Sequence, residues 1–187
     1  MNCKKYFLIV IIIILASGCT AKNNLELKTK YSTQELNQVT EIGTKIGNTP
    51  PDFTVVTTDG KSASLKDFAK QKNPVVIYFM ATWCPYCRED YNKLSKVYAN
   101  YEKNVSILSI DLDLSEDLFL LKDYKKKYPV LQNTMFAAGQ PNILSDYSVT
   151  KTTTKYAVGK DGKIIFAGYG VFNDEQWKNL LDKLLNS

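Results

Sequence analysis

A chain of 187 residues is long enough for one domain with its own core plus an appendage, and 44% hydrophobic with 12% aromatic residues excludes general disorder. The formal net charge of +5 falls to +3 once Lys4 and Lys5 are assigned to a targeting segment. The other lysines are spread among acids rather than gathered into a stripe, so no nucleic-acid partner is read from the charge.

Lys4 and Lys5 form a short positive stretch, and residues 6–16 are an almost unbroken apolar run with consecutive isoleucines at 11–14. The run is too short to span a membrane comfortably and has the layout of a secretory signal. Leu15-Ala16-Ser17-Gly18-Cys19 resembles the bacterial lipoprotein lipobox, with Leu15 one place further from Cys19 than the commonest pattern has it. The resemblance implies cleavage after residue 18 and a lipid on the Cys19 sulfur, giving a chain anchored at the extracytoplasmic face of the cell membrane. A plain signal peptide or uncleaved anchor is the other reading, and either one exports the domain. Cys3 leaves with the signal and Cys19 is taken by lipid. Cys84 and Cys87 are then the thiols of the exported part, too few for a disulfide framework.

Residues 19–45 are expected to be a polar, lipidated tether, with a short helix possible around 33–39, and residues 46–187 the folded domain. Pro50-Pro51 precedes a strand at 53–57, and Asp59-Gly60 turns it toward a returning strand at 62–65. The continuous apolar run at 75–80 has the length of a central strand covered on both faces. After the cysteines, Leu94, Val97, Tyr98 and Tyr101 recur at helical spacing. A strand at 105–110 leads to a helix at 115–128, with Glu116 and Asp117 in its first turn and a solvated lysine run, 125–127, at its end. Asp161-Gly162 joins strands at 155–158 and 163–167. Asn173, with Gln176 three residues on, caps a last helix that buries Trp177, Leu180, Leu181, Leu184 and Leu185. The order predicts an α/β fold in which a central mixed β-sheet is flanked by helices on both faces, with an N-terminal β-hairpin extension.

Trp83-Cys84-Pro85-Tyr86-Cys87 falls where the strand at 75–80 passes into a helix. A cysteine at a helix N-terminus faces unpaired N–H groups and the positive end of the dipole, which favour thiolate. The spacing lets Cys87, one turn on, close a ring with Cys84. Cys84 is expected to stay exposed as the nucleophile and Cys87 to be covered as the resolving thiol. Pro85 suits the first turn, where no N–H is needed. Three other readings compete. A structural zinc site lacks ligands in a chain without histidine. A structural disulfide over so short a loop restrains little. A redox-inactive binding module of the same fold is the third.

The stretch from Ile46 resembles the TlpA/ResA-like branch of the thioredoxin superfamily. The resemblance is carried by Ile46-Gly47 with Pro51-Asp52-Phe53, by Asp59-Gly60-Lys61 before Ser64-Leu65, and by the run from Phe79 through the cysteines to Arg88-Glu89. Tyr147-Ser148-Val149 and residues 158–164 resemble the part that lays a loop beside the cysteines. The likeness implies a thioredoxin-like fold and membrane-associated dithiol–disulfide exchange with exported proteins. It further implies no cofactor beyond the Cys84–Cys87 pair, no metal, a separate redox partner that resets the pair, and action as a monomer. Trp83, Pro85, Tyr86, Thr152 and Thr153 are implied as the surface that meets the client.

In that family an acid three places after the second cysteine assists proton movement. Asp90 holds this position as a possible proton acceptor, or is a solvated helix acid. The family loop opposite the cysteines carries a cis-proline where this chain has Thr153. A non-proline cis bond costs about 2.5–4 kcal/mol, so a trans peptide and a reshaped loop are expected. Copper-delivery relatives need a wider cysteine spacing and a histidine. A peroxiredoxin nucleophile needs Thr or Ser where Ala81 stands. The family leans toward reduction or isomerisation, whereas Pro85-Tyr86 leans toward the oxidants, so disulfide formation is the runner-up direction.

Overall fold

The computed structural model describes residues 41–187. The signal segment, Cys19 and most of the tether lie outside the described residues. In chain order the elements are β1 (Thr54–Val56), β2 (Ser62–Ser64), α1 (Leu65–Lys70), β3 (Val75–Met80), α2 (Pro85–Val97), β4 (Ser106–Asp111), α3 (Leu118–Lys126), β5 (Met135–Ala137), α4 (Pro141–Asp146), β6 (Thr154–Val158), β7 (Ile164–Gly168) and α5 (Asp174–Leu185). Among these residues no helix is long and apolar enough to cross a membrane.

The sheet runs β5-β4-β3-β6-β7, parallel where β3 meets β4 and β4 meets β5, antiparallel where β3 meets β6 and β6 meets β7. β3 is central because every residue in it is buried, so neither face tolerates water. Its alternation divides the interior in two. Val76, Tyr78 and Met80 join a core with α2, α3 and α5, while Val75, Ile77 and Phe79 join one with the β1–β2 hairpin, α1 and α4. The hairpin is tied to β5 by a bridge between Thr57 and Ala137 and a bond from Thr58 N–H to the Phe136 carbonyl at 2.7 Å.

Several expectations shift. The returning strand ends at Ser64, whose hydroxyl caps α1 by accepting the Asp67 N–H, so Leu65 is helical. The helix expected at 115–128 is shorter: Asp117 is its N-cap, and Glu116 lies before it, drawn to Thr82. Its lysines are not all solvated, because Lys125 is buried with its ammonium 3.3 Å from Asp59. α2 ends at Val97, and a 3₁₀ turn carries Tyr98 into the core. The first residues of the expected domain make backbone bonds with the start of β7: Gly47 N–H to Ile164 O at 2.8 Å and Ile164 N–H to Asn48 O at 2.9 Å.

Between β5 and α4 the chain passes β4 so closely that a Cβ on Gly139 would sit 2.0 Å from the Asp111 carbonyl oxygen. Gly139→Ala is therefore expected to cost about 1–3 kcal/mol, read as a lower urea midpoint with an unchanged slope. An unchanged midpoint would show that the two segments separate freely.

Candidate active site

Met80 ends β3, and Ala81, Thr82 and Trp83 turn the chain so that Cys84 becomes the N-cap of α2, with Pro85 at its first position. The Cys84 sulfur accepts the Cys87 N–H at 3.1 Å, the bond a Ser or Asp cap would make. Its thiol donates to Thr152 Oγ1 at 3.2 Å. Cys84 is only 1% exposed, contrary to the sequence expectation. The cover comes from the loop at 151–154, which places the Thr152 hydroxyl on the sulfur.

Cys87 is wholly buried, as expected. Burial, then the bond with Cys84, pushes its thiol up to about 12, with the Ala81 backbone and Tyr78 hydroxyl pulling the other way. The two sulfurs are thus unlike. One caps a helix and the other is a neutral thiol inside the core.

The loop opposite carries Thr153 where the sequence resemblance places proline. Thr153 has φ +63°, a left-handed conformation that a β-branched residue rarely adopts. Its hydroxyl donates to the Thr152 carbonyl at 2.5 Å and accepts the Gly170 N–H at 3.0 Å.

Asp90 is not a solvated helix acid: it is 0% exposed. Its Oδ1 accepts the Phe172 N–H at 2.9 Å and the Trp177 indole N–H at 2.7 Å, and its Oδ2 lies 2.5 Å from the Lys155 ammonium, itself 0% exposed. Sequence reading treated Lys155 only as a strand residue. The signal was there, since Lys155 shares a face of β6 with Ala157, which points into the core beneath α2.

Trp83 and Tyr86 are 60% and 65% exposed beside Cys84, and Pro85 is exposed between them. The Trp83 indole donates to Asp113 Oδ2 at 2.8 Å, and bonds from Ser115 and then Trp83 hold the Asp113 carboxyl below the usual range. Glu116 accepts both the N–H and the hydroxyl of Thr82, the former at 2.9 Å. Asp111, buried at the end of β4, is pushed up to about 8 by burial and then by Glu116. Glu116 and Asp113 brace the turn before Cys84, and sequence reading missed them because they come from the β4–α3 connection.

The unlike thiols give a direct prediction. In Cys84→Ser, alkylation of Cys87 by iodoacetamide is expected to keep accelerating about tenfold per pH unit beyond pH 10, toward about 12. Levelling near an ordinary thiol value of about 8.5 would contradict the burial account. The folded state holds this proton more tightly than the unfolded one. The stability it gives the reduced protein is therefore present below about pH 9 and lost as pH rises toward about 12.

Comparison with known proteins agrees with this geometry. Residues 46–167 match the AhpC/TSA family. The thiol-disulfide oxidoreductase ResA of Bacillus thuringiensis subsp. konkukian (strain 97-27) is 32% identical over 184 residues, 97% of this chain and 98% of that protein. Two solved structures show the same fold. The thioredoxin domain of a thiol-disulfide oxidoreductase from Bacteroides vulgatus has a TM-score of 0.60 at 20% identity, covering 75% of this chain and 98% of that one. A thiol:disulfide interchange protein from Chlorobium tepidum TLS has a TM-score of 0.59 at 22% identity, covering 72% of this chain and 94% of that one. With a mixed sheet flanked by helices on both faces and a dithiol at the strand–helix junction, the chain belongs to the AhpC/TSA family and is a thiol–disulfide oxidoreductase of thioredoxin-like fold.

Proposed function

We propose that the protein is a lipid-anchored oxidoreductase at the extracytoplasmic face of the cell membrane, reducing or isomerising disulfides of exported proteins through Cys84 and Cys87. The observation that carries the chemistry is the pairing of a helix-capping Cys84 with a buried, protonated Cys87 one turn on. The Cys84 thiolate attacks a client disulfide, giving a mixed disulfide and releasing one client sulfur as thiolate. Cys87 loses its proton and attacks the Cys84 sulfur, the mixed bond breaks, and the second client sulfur leaves. Two electrons pass to the client, the Cys84–Cys87 bond forms, and the protons end on the client thiols. A membrane or extracytoplasmic redox partner must return two electrons for another cycle.

Trp83, Pro85 and Tyr86 offer the client an exposed apolar rim, and Thr152 lies on the opposite side of Cys84. A client that displaces the Thr152 hydroxyl uncovers the sulfur. The N-terminal residues Lys4, Lys5, 6–16 and Leu15 to Cys19 support export and lipid attachment at Cys19. The reductive direction follows the resemblance of the sequence to the TlpA/ResA-like branch, against the lean of Pro85-Tyr86 toward the oxidants.

In intact cells, Cys84→Ser is expected to abolish exchange, while Cys87→Ser accumulates client proteins disulfide-bonded to Cys84. These adducts should sediment with membranes and should form with a membrane-impermeant disulfide probe. Adducts confined to the soluble cytoplasm, or exchange undiminished in Cys84→Ser, would contradict the reading.

A further inference from the structure

The mechanism above gives no task to the buried pair of Asp90 and Lys155. Lys155 stands in β6 directly across from Tyr78 of β3. Taking an ammonium out of water costs several kcal/mol unless its donors are met. Here the Gly170 carbonyl at 2.6 Å and the Thr153 carbonyl at 3.1 Å accept from it, and Asp90 Oδ2 pairs its charge at 2.5 Å. Rings of Phe172, Tyr78 and Trp177 complete the shell, with centroids 4.5, 4.8 and 5.3 Å from the nitrogen. Burial pulls Lys155 below its ordinary value, and the Asp90 charge opposes that pull.

We infer that Lys155 is a positioning residue for thiol–disulfide exchange, holding Asp90 as a carboxylate one turn below Cys87 and fixing the Thr152 and Thr153 loop over Cys84. The inference rests on the exchange reading above. Asp90 Oδ1 accepts two N–H groups and Oδ2 lies against an ammonium, and none of these groups can accept a proton from it, so this shell fits the carboxylate and not the acid. Three residues apart on α2, Asp90 and Cys87 share a helix face. In the resolving step the Cys87 proton passes to Asp90, the Cys87 sulfur attacks Cys84, and the Cys84–client bond breaks as the Cys84–Cys87 bond forms. The client sulfur leaves as thiolate, and Asp90 returns the proton to that thiolate or to solvent. On the other side, Lys155 and the Gly170 N–H grip Thr153 from both its carbonyl and its hydroxyl. That grip holds a left-handed threonine where the family places proline. The titratable groups facing the ammonium are Asp90 and Cys87 on α2 and Tyr78 on β3, whereas Phe172 and the α5 residue Trp177 contribute none.

The test is stopped-flow reaction of the reduced full chain with dithiobis(nitrobenzoate). A first release of nitrothiobenzoate reports attack by Cys84, and a second reports resolution by Cys87. In Lys155→Met the second phase is expected to slow about 100-fold at pH 7. It should recover as the pH rises, because taking the counter-charge away from a buried carboxylate disfavours its charged form and higher pH opposes that loss. Asp90→Asn should be as slow at pH 7 and should recover only beyond about pH 10, where Cys87 loses its proton unaided. If Lys155→Met does not fold, Lys155→Met/Asp90→Asn removes both charges, and its first phase should be faster than that of Asp90→Asn because the loop that covers Cys84 is released. Folded Lys155→Met with wild-type rates, or slowed equally at every pH, would overturn the inference, as would a first phase equal in the double and single variants. A wild-type protein without a second phase would instead sink the exchange reading itself.

Discussion

The active site depends on one bond, the Cys87 N–H donated to the Cys84 sulfur at 3.1 Å across the first turn of α2. It exists because β3 stops at Met80 and three residues later the chain has turned into a helix whose first N–H groups have no internal partner. A sulfur at the N-cap supplies that partner and receives in exchange the field that stabilises a thiolate. The same turn buries Cys87 among Tyr78, Tyr91 and the rest of the core, where an anion is unwelcome. One geometric fact therefore makes a nucleophile of the first cysteine and a protected, late-acting thiol of the second.

The surroundings of this bond are polar where the core is deepest. Asp90 and Lys155 join α2 to β6 inside a shell of aromatic rings, and the Trp177 indole brings α5 to the same carboxylate. A buried pair of this kind is a poor source of net stability, since packed apolar residues of similar volume do as well. What it supplies is uniqueness: a helix, a strand and a loop meet at one point, tied by one ion pair and by hydrogen bonds to Asp90 Oδ1 and from the Lys155 ammonium. Above the cysteines, Glu116 on Thr82 and Asp113 on Trp83 brace the approach in the same manner. The exposed Trp83 is thus a fixed surface rather than a loose side chain.

The strand–helix junction and its dithiol were legible because two strong patterns meet there, an apolar run of strand length and a CxxC spacing. The last hairpin and α5 were legible for similar reasons, an Asp-Gly turn and a capping box at Asn173 and Gln176 that the structure contains. α1 and α4 have six residues each and β5 three, too short for a hydrophobic period to register against the tertiary contacts that fix them. The burial of Cys84 was not legible, because its cover comes from Thr152, distant in sequence and placed by the sheet. Asp90 stood in plain view on the stripe Cys87, Asp90, Tyr91 and Leu94, an acid on the buried face of a helix. Its partner Lys155 was a lysine on the inward face of a strand. Each is odd alone, and their pairing explains both.

The central claim is that Cys84 and Cys87 form a reversible two-electron couple poised for reduction. The most direct measurement is its reduction potential, taken by equilibrating the full chain in glutathione buffers and quantifying free thiols by alkylation. The account predicts a single reversible two-electron transition below about −220 mV, the poise of a reductant resupplied with electrons. A value above about −170 mV would contradict the reductive direction, and a pair that does not titrate reversibly would contradict the dithiol mechanism altogether.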